Sequence, residues 1–142
     1  MTRSFLQLVG KEKPATVVYL SGGAAFVALP SMSSYGPSKL AMTHFFRYVA
    51  AEHPNVTAVS LSPGTVMTDM VPEQFKRLAK DMPELVGGAA VWLATDAAKF
   101  LSGRYFCAQW SVDEMLQRKD EIVKEGKLLS GLNTRLGVDQ FE

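Results

Sequence analysis

The chain has 142 residues, 47% hydrophobic, 20% charged and 10% aromatic. This ordinary globular composition argues against a disordered chain, a collagen or a disulfide scaffold. Fifteen Lys/Arg against fourteen Asp/Glu leave a net charge of +1, so there is no electrostatic footprint for a nucleic-acid groove or an anionic membrane.

In chain order, Thr2 to Val9 reads as the end of a helix, closed by Gly10 and followed by Pro14. Thr16-Val17-Val18-Tyr19-Leu20 is a β-branched and aromatic run ending at Gly22-Gly23, the pattern of a buried strand. Ala24 to Met32 reads as a loop. A helix is expected from about Ser33 to Glu52, with Ser33 or Ser34 as N-cap and Pro37 tolerated in the first turn. Val56 to Leu61 is a second buried strand, ended by Pro63-Gly64. Glu73–Lys80 and Leu85–Thr95 read as short helices, Arg104–Trp110 as a third strand and Val112–Lys124 as a closing amphipathic helix. The stretch from about Leu128 to Glu142 has no clear period and reads as loop.

Strands alternating with helices predict βαβ units and a parallel sheet covered on both faces. Cys107 stands alone, so no internal disulfide and no cysteine zinc site are expected. His44 and His53 belong to no metal-spaced cluster. The N-terminal apolar stretch is too short for a signal peptide, and no apolar run approaches a membrane span. The expectation is a soluble, cytoplasmic protein that binds neither nucleic acid nor membrane and holds no metal.

The chemistry centres on Tyr35 and Lys39 in Ser34-Tyr35-Gly36-Pro37-Ser38-Lys39. Positions i and i+4 share a helix face. A tyrosine hydroxyl is a poor acid or base near neutrality, and an adjacent ammonium favours its phenolate. Such a pair is suited to exchanging a proton with a substrate oxygen. By itself the spacing also arises by chance.

The setting adds weight. The helix follows a strand ending Leu20-Ser21-Gly22 and precedes one ending Ser62-Pro63-Gly64-Thr65-Val66-Met67-Thr68. Together the strand-end serine, the YGPSK segment, the P-G-x-V-x-T segment and their spacings resemble the short-chain dehydrogenase/reductase family, in wording closest to fungal-type members. The resemblance runs from about Thr2 to Leu132. It implies an α/β, partial Rossmann-like fold: part of a doubly wound parallel sheet, about three parallel strands with flanking helices. Residues 1–132 would be the C-terminal half of the family domain and 133–142 a tail.

Carried over by resemblance, Tyr35 is the catalytic acid/base, and Lys39 lowers its pKa and hydrogen-bonds the nicotinamide ribose. Pro63, Gly64, Val66 and Thr68 match the loop that contacts the nicotinamide and its neighbouring phosphate. The implied cofactor is NADP or NAD, with NADP ahead. The expected substrate is a small, bulky apolar carbonyl or alcohol, because Met67, Met70, Val71 and Phe75 make the following segment apolar. The reading is thus an NAD(P)-linked alcohol/carbonyl oxidoreductase.

Two departures stand out. The family's catalytic serine lies thirteen residues before the tyrosine, where this chain has Gly22. Either Ser21 serves instead, or Ser21 only satisfies backbone and the catalytic hydroxyl is lost. The phosphate-binding glycine-rich turn is also absent from the chain, and Gly22-Gly23 and Gly87-Gly88 are isolated pairs that read as turns or packing sites. Activity alone is therefore in doubt. The Val17–Leu20 strand would present an open edge. The helix over 33–52, apolar almost all round through Leu40, Ala41, Met42, Phe45, Phe46, Tyr48 and Val49, would suit a partner. A homo-oligomer through that helix, or a complementing chain, is expected. The alternative function is a non-catalytic remnant acting as an oligomerisation or interaction module. A small α/β hydrolase is poorly supported without a G-x-S-x-G elbow.

Overall fold

A computed structural model describes residues 1–131. The expected tail, 133–142, lies outside the described residues.

The centre of the molecule is strand β2, Val56–Ser62, buried at all seven positions. Its run of Val56, Val59 and Leu61 interleaved with small side chains is what a parallel strand covered on both faces requires. Strand β1, Ala15–Leu20, runs parallel to it in a register from Ala15↔Val56 to Leu20↔Leu61. Strand β3, Tyr105–Cys107, flanks the other side from Ser60↔Tyr105 to Ser62↔Cys107. The sheet order is β1-β2-β3, all parallel, as the alternation of strands and helices predicts.

Alternation along β2 divides the core. Val56 and Ala58 face helix α2, Tyr35–Glu52, and pack with its Phe46 and Val49. Phe5, Leu6 and Val9 of α1, Thr2–Val9, close that side. Val59 and Leu61 face the other way, onto Ala89 and Leu93 of α3, Pro83–Leu93, with Phe106, Met115 and Ile122. Strand β1 is only half-buried and lies at the edge of the sheet among the described residues.

Several elements differ from the sequence reading, each for a physical reason. Beyond Cys107 the third strand does not continue to Trp110. Strand β2 has turned away at Pro63, so the Ala108 amide donating to the Ser62 carbonyl is the last ladder bond there. The closing helix is two, α4 Val112–Gln117 and α5 Lys119–Lys124, joined at Arg118. At that joint the Arg118 guanidinium bonds both Glu114 and Glu121, and Met115 and Ile122 enter the core on either side of it. The segment expected as a helix over 73–80 is a 3-10 helix, Glu73–Leu78. Ser34 occupies the N-cap position of α2 but makes no capping bond through its side chain. Gly87 and Gly88 sit inside α3 with open space where a Cβ would be, so neither a turn nor close packing accounts for them. Residues 128–131 are tied down: the Leu128 carbonyl accepts from the Tyr105 amide, and the Ser130 carbonyl accepts from Arg47.

Candidate functional site

The sequence-derived residues collect at the carboxyl ends of β1 and β2, where ligands of open parallel sheets bind. Strand β1 ends at Leu20, and a 3-10 turn, Gly23–Ala25, leads toward α2. Gly36 allows the junction: a Cβ there would lie 2.7 Å from the Ala24 carbonyl oxygen. The first turn of α2 therefore sits directly on the chain leaving β1, and Tyr35 is brought back over that strand's end.

Tyr35 is 37% exposed, open enough to meet a ligand. Its hydroxyl faces Gly22, where an ideal Cβ would lie 3.5 Å from the Tyr35 oxygen. Lys39 stands one turn further along α2. Its Nζ donates to the Leu20 carbonyl at 2.7 Å and lies over both the Tyr35 and the Tyr19 rings, at 5.4 and 5.2 Å from their centroids. The strand-end carbonyl and two aromatic faces thus fix the ammonium beside the tyrosine. Burial raises the Tyr19 pKa above its ordinary value, and the neighbouring Tyr35 adds to the rise.

Ser21 is buried and placed differently. Its hydroxyl lies 2.7 Å from Thr43 Oγ1, and Thr43 itself donates to the Lys39 carbonyl at 2.8 Å. With the Thr43 hydrogen committed, Ser21 is the donor in that pair. The chain Ser21–Thr43–Lys39 carbonyl pins β1 to α2 beneath the tyrosine. Between the two alternatives, Ser21 has a partner already and Gly22 has the position facing Tyr35.

The loop after β2 forms the second wall. Pro63, Gly64 and Val66 are half-buried and Thr68 is exposed. Gly64 has φ 73°, the left-handed region that glycine enters freely. A Cβ there would also lie 2.8 Å from the Asp81 carboxyl carbon, so the carboxylate fills the space that a side chain would take. Asp81 accepts from the Thr65 amide at 2.6 Å and from Gln109 Nε2 at 2.9 and 3.0 Å. In the apolar segment beyond the loop, Met67 and Met70 are exposed and Val71 and Phe75 half-buried.

Thr43, Asp81 and Gln109 are part of this arrangement and escaped the sequence reading. Thr43 had a usable signal, since 35, 39 and 43 repeat at i, i+4 and i+8 on one helix face. Asp81 and Gln109 had none, because 28 residues separate them. Among the described residues no group of three His, Cys, Asp or Glu could hold a metal ion, and no helix is long and apolar enough to cross a membrane.

Comparison with known proteins points to one family. A family model described as short chain dehydrogenase matches residues 1–79. A short chain dehydrogenase of Monascus purpureus is 35% identical, over 90% of this chain and 46% of its own length. One from Emericella variicolor is 33% identical, over 89% and 46%. The chain thus spans about half the length of these curated relatives. Among solved structures, the KRED1-Pglu enzyme aligns with TM-score 0.53 at 30% identity, covering 64% of this chain and 46% of the other. A 7 alpha-hydroxysteroid dehydrogenase complexed with NADH and 7-oxo glycochenodeoxycholic acid aligns with TM-score 0.60 at 23% identity, covering 72% and 47%.

Proposed function

The chain belongs to the short chain dehydrogenase family, and on that premise we propose that it carries the proton-exchanging end of an NAD(P)-linked oxidoreductase site. The observation that carries this reading is the Tyr35–Lys39 pair: an accessible phenol with an ammonium held over its ring, at the carboxyl end of a parallel strand. Tyr35 donates its proton to a carbonyl oxygen in reduction, or accepts one from an alcohol in oxidation. Lys39 stabilises the phenolate and has hydrogens to spare beyond the one given to Leu20, which would reach the nicotinamide ribose.

Pro63, Gly64, Val66 and Thr68 line the place for the nicotinamide end of the cofactor. The residues present fit that end of a dinucleotide only, since no glycine-rich phosphate turn occurs in the sequence. When bound, NAD(P) supplies or takes up the hydride. Residues 1–132 accordingly act as the C-terminal half of a catalytic domain, whose other half comes from further sequence or another chain. The relatives' greater length supports this division. Exposed Met67 and Met70, with Val71 and Phe75 behind them, favour a bulky apolar carbonyl or alcohol.

The test is titration of the purified chain with NADPH, followed by nucleotide fluorescence. Saturable binding below millimolar cofactor is expected. Where turnover accompanies it, Tyr35→Phe should abolish turnover and spare binding. Unchanged turnover in that variant would remove Tyr35 from its role, and no saturable binding at millimolar NADPH would leave this chain a non-enzyme.

A second reading, an oligomerisation module, is favoured by the open edge of β1 and by the exposed side chains Leu40, Phe45 and Tyr48 on α2. Size-exclusion with light scattering decides it: a compact monomer at high concentration would sink it.

A further inference from the structure

Three separate pieces of chain meet at Asp81. Its carboxylate accepts from the Thr65 amide, in the loop after β2, and from Gln109, just past β3. Its own amide donates to the Thr65 carbonyl at 3.2 Å, and Val66 and Asp81 form an isolated parallel bridge. Asp81 and Thr65 thus close the base of the excursion from 66 to 80, which contains Met67, Met70, Val71 and Phe75. The carboxylate meets neutral amide donors only in these bonds. Gly64, at positive φ and without a Cβ, leaves the room that the carboxylate occupies. Glycine, carboxylate and amide are mutually fitted.

We propose that Asp81 is a positioning residue, held by Gln109, that sets the backbone of the 63–68 loop and ties down both ends of the apolar excursion. The inference rests on the proposed function insofar as that loop receives the nicotinamide end of the cofactor. The latch itself does not depend on it. With Asp81 in place, the Gly64 and Thr65 backbone is held in one conformation before a ligand arrives. Binding therefore bears little ordering cost at the loop. Without Asp81, the Thr65 amide loses its acceptor and the excursion loses its base.

The experiment has two independent readouts on the full chain. The first is exchange of the Thr65 amide hydrogen, followed by NMR. Hydrogen bonds to charged groups are strong enough that Asp81→Ala should accelerate this exchange by roughly 10- to 100-fold, while amides in β2 keep their protection. Gln109→Glu should accelerate it too, because two carboxylates then face each other. In an Asp81→Asn background the same Gln109→Glu change should slow exchange, because the new amide group donates to the new carboxylate. That reversal of sign reports direct pairing, which a general loss of stability does not produce. Unchanged Thr65 exchange in Asp81→Ala, or the same effect of Gln109→Glu in both backgrounds, would overturn the latch.

The second readout is NADPH affinity. Asp81→Ala should weaken it about tenfold, and the combined Asp81→Asn/Gln109→Glu variant should recover most of the loss. Equal affinity in Asp81→Ala and the parent chain would overturn the positioning role. If the parent chain shows no binding, it does not hold the cofactor by itself, the positioning role in this chain falls, and amide exchange alone decides the latch.

Discussion

Replacing Gly22 by serine puts a hydroxyl in front of Tyr35. The backbone permits it: Gly22 has φ 178° and ψ 160°, extended values open to any residue. Space permits it as well, since the one atom within 4 Å of an ideal Cβ is the Tyr35 oxygen, at 3.5 Å. One bond further out, the new Oγ comes within the roughly 2.5–3.0 Å range of an O–H···O bond. Two contributions favour the folded state. Losing a glycine reduces the freedom of the unfolded chain, worth about 0.4–1 kcal/mol. The hydroxyl–hydroxyl bond adds about 0.5–1.5 kcal/mol.

Gly22→Ser should therefore raise stability by ~1–2 kcal/mol, a shift of several degrees in Tm for a chain of this size. Gly22→Ala isolates the first contribution. The difference between serine and alanine isolates the second, and it should vanish in a Tyr35→Phe background. Thermal and urea unfolding of the five proteins measure all of this. A serine variant less stable than the parent, or a serine–alanine difference that persists without the Tyr35 hydroxyl, would refute the placement of Tyr35 against Gly22. In a chain that turns over, the added donor should also raise the rate by up to ~10²–10³, by analogy with oxyanion donors.

Gly64→Ala should cost about 1–3 kcal/mol in urea unfolding, because it combines a strained φ with a collision at the Asp81 carboxylate. Ser21→Ala should cost about 1 kcal/mol through the lost bond to Thr43 and leave turnover unchanged; a hundredfold loss of turnover would instead make Ser21 the catalytic hydroxyl. Hydrogen bonds from Arg118 and then Lys127 lower the Glu121 pKa to about 2. A depressed carboxylate contributes stability above its unfolded value of ~4.3, and that contribution is lost as pH falls from there toward about 2. Glu121→Gln should therefore flatten the acid limb of the stability curve in this window, and the effect should shrink in high salt.

Strand β2 was legible because an apolar run with β-branched residues has few alternatives to a buried parallel strand. The Tyr35–Lys39 pair was legible because i and i+4 share a helix face wherever the helix goes. The open edge of β1 followed from the same local reading combined with the family resemblance. The break at Arg118 was hidden, since Met115, Leu116, Ile122 and Val123 keep a helical period straight through it. The joint shows only in the backbone, where Arg118 leaves helical geometry at φ −96° and ψ 10°.

What the sequence determined by itself is the order of strands and helices and the neighbourhood of Tyr35 and Lys39 on one helix face, because both depend on spacing over a few residues. What only the tertiary structure decided is which strand-end residue faces Tyr35 and what holds the 63–68 loop. Ser21 and Gly22 are neighbours in the chain, and successive residues of an extended segment point to opposite sides. The packing of α2 onto β1 settles which side is which: it commits Ser21 to Thr43 and turns Gly22 toward the phenol. Asp81, likewise, is an unremarkable acidic residue until the parallel sheet brings Thr65 and Gln109 to it from opposite directions along the chain.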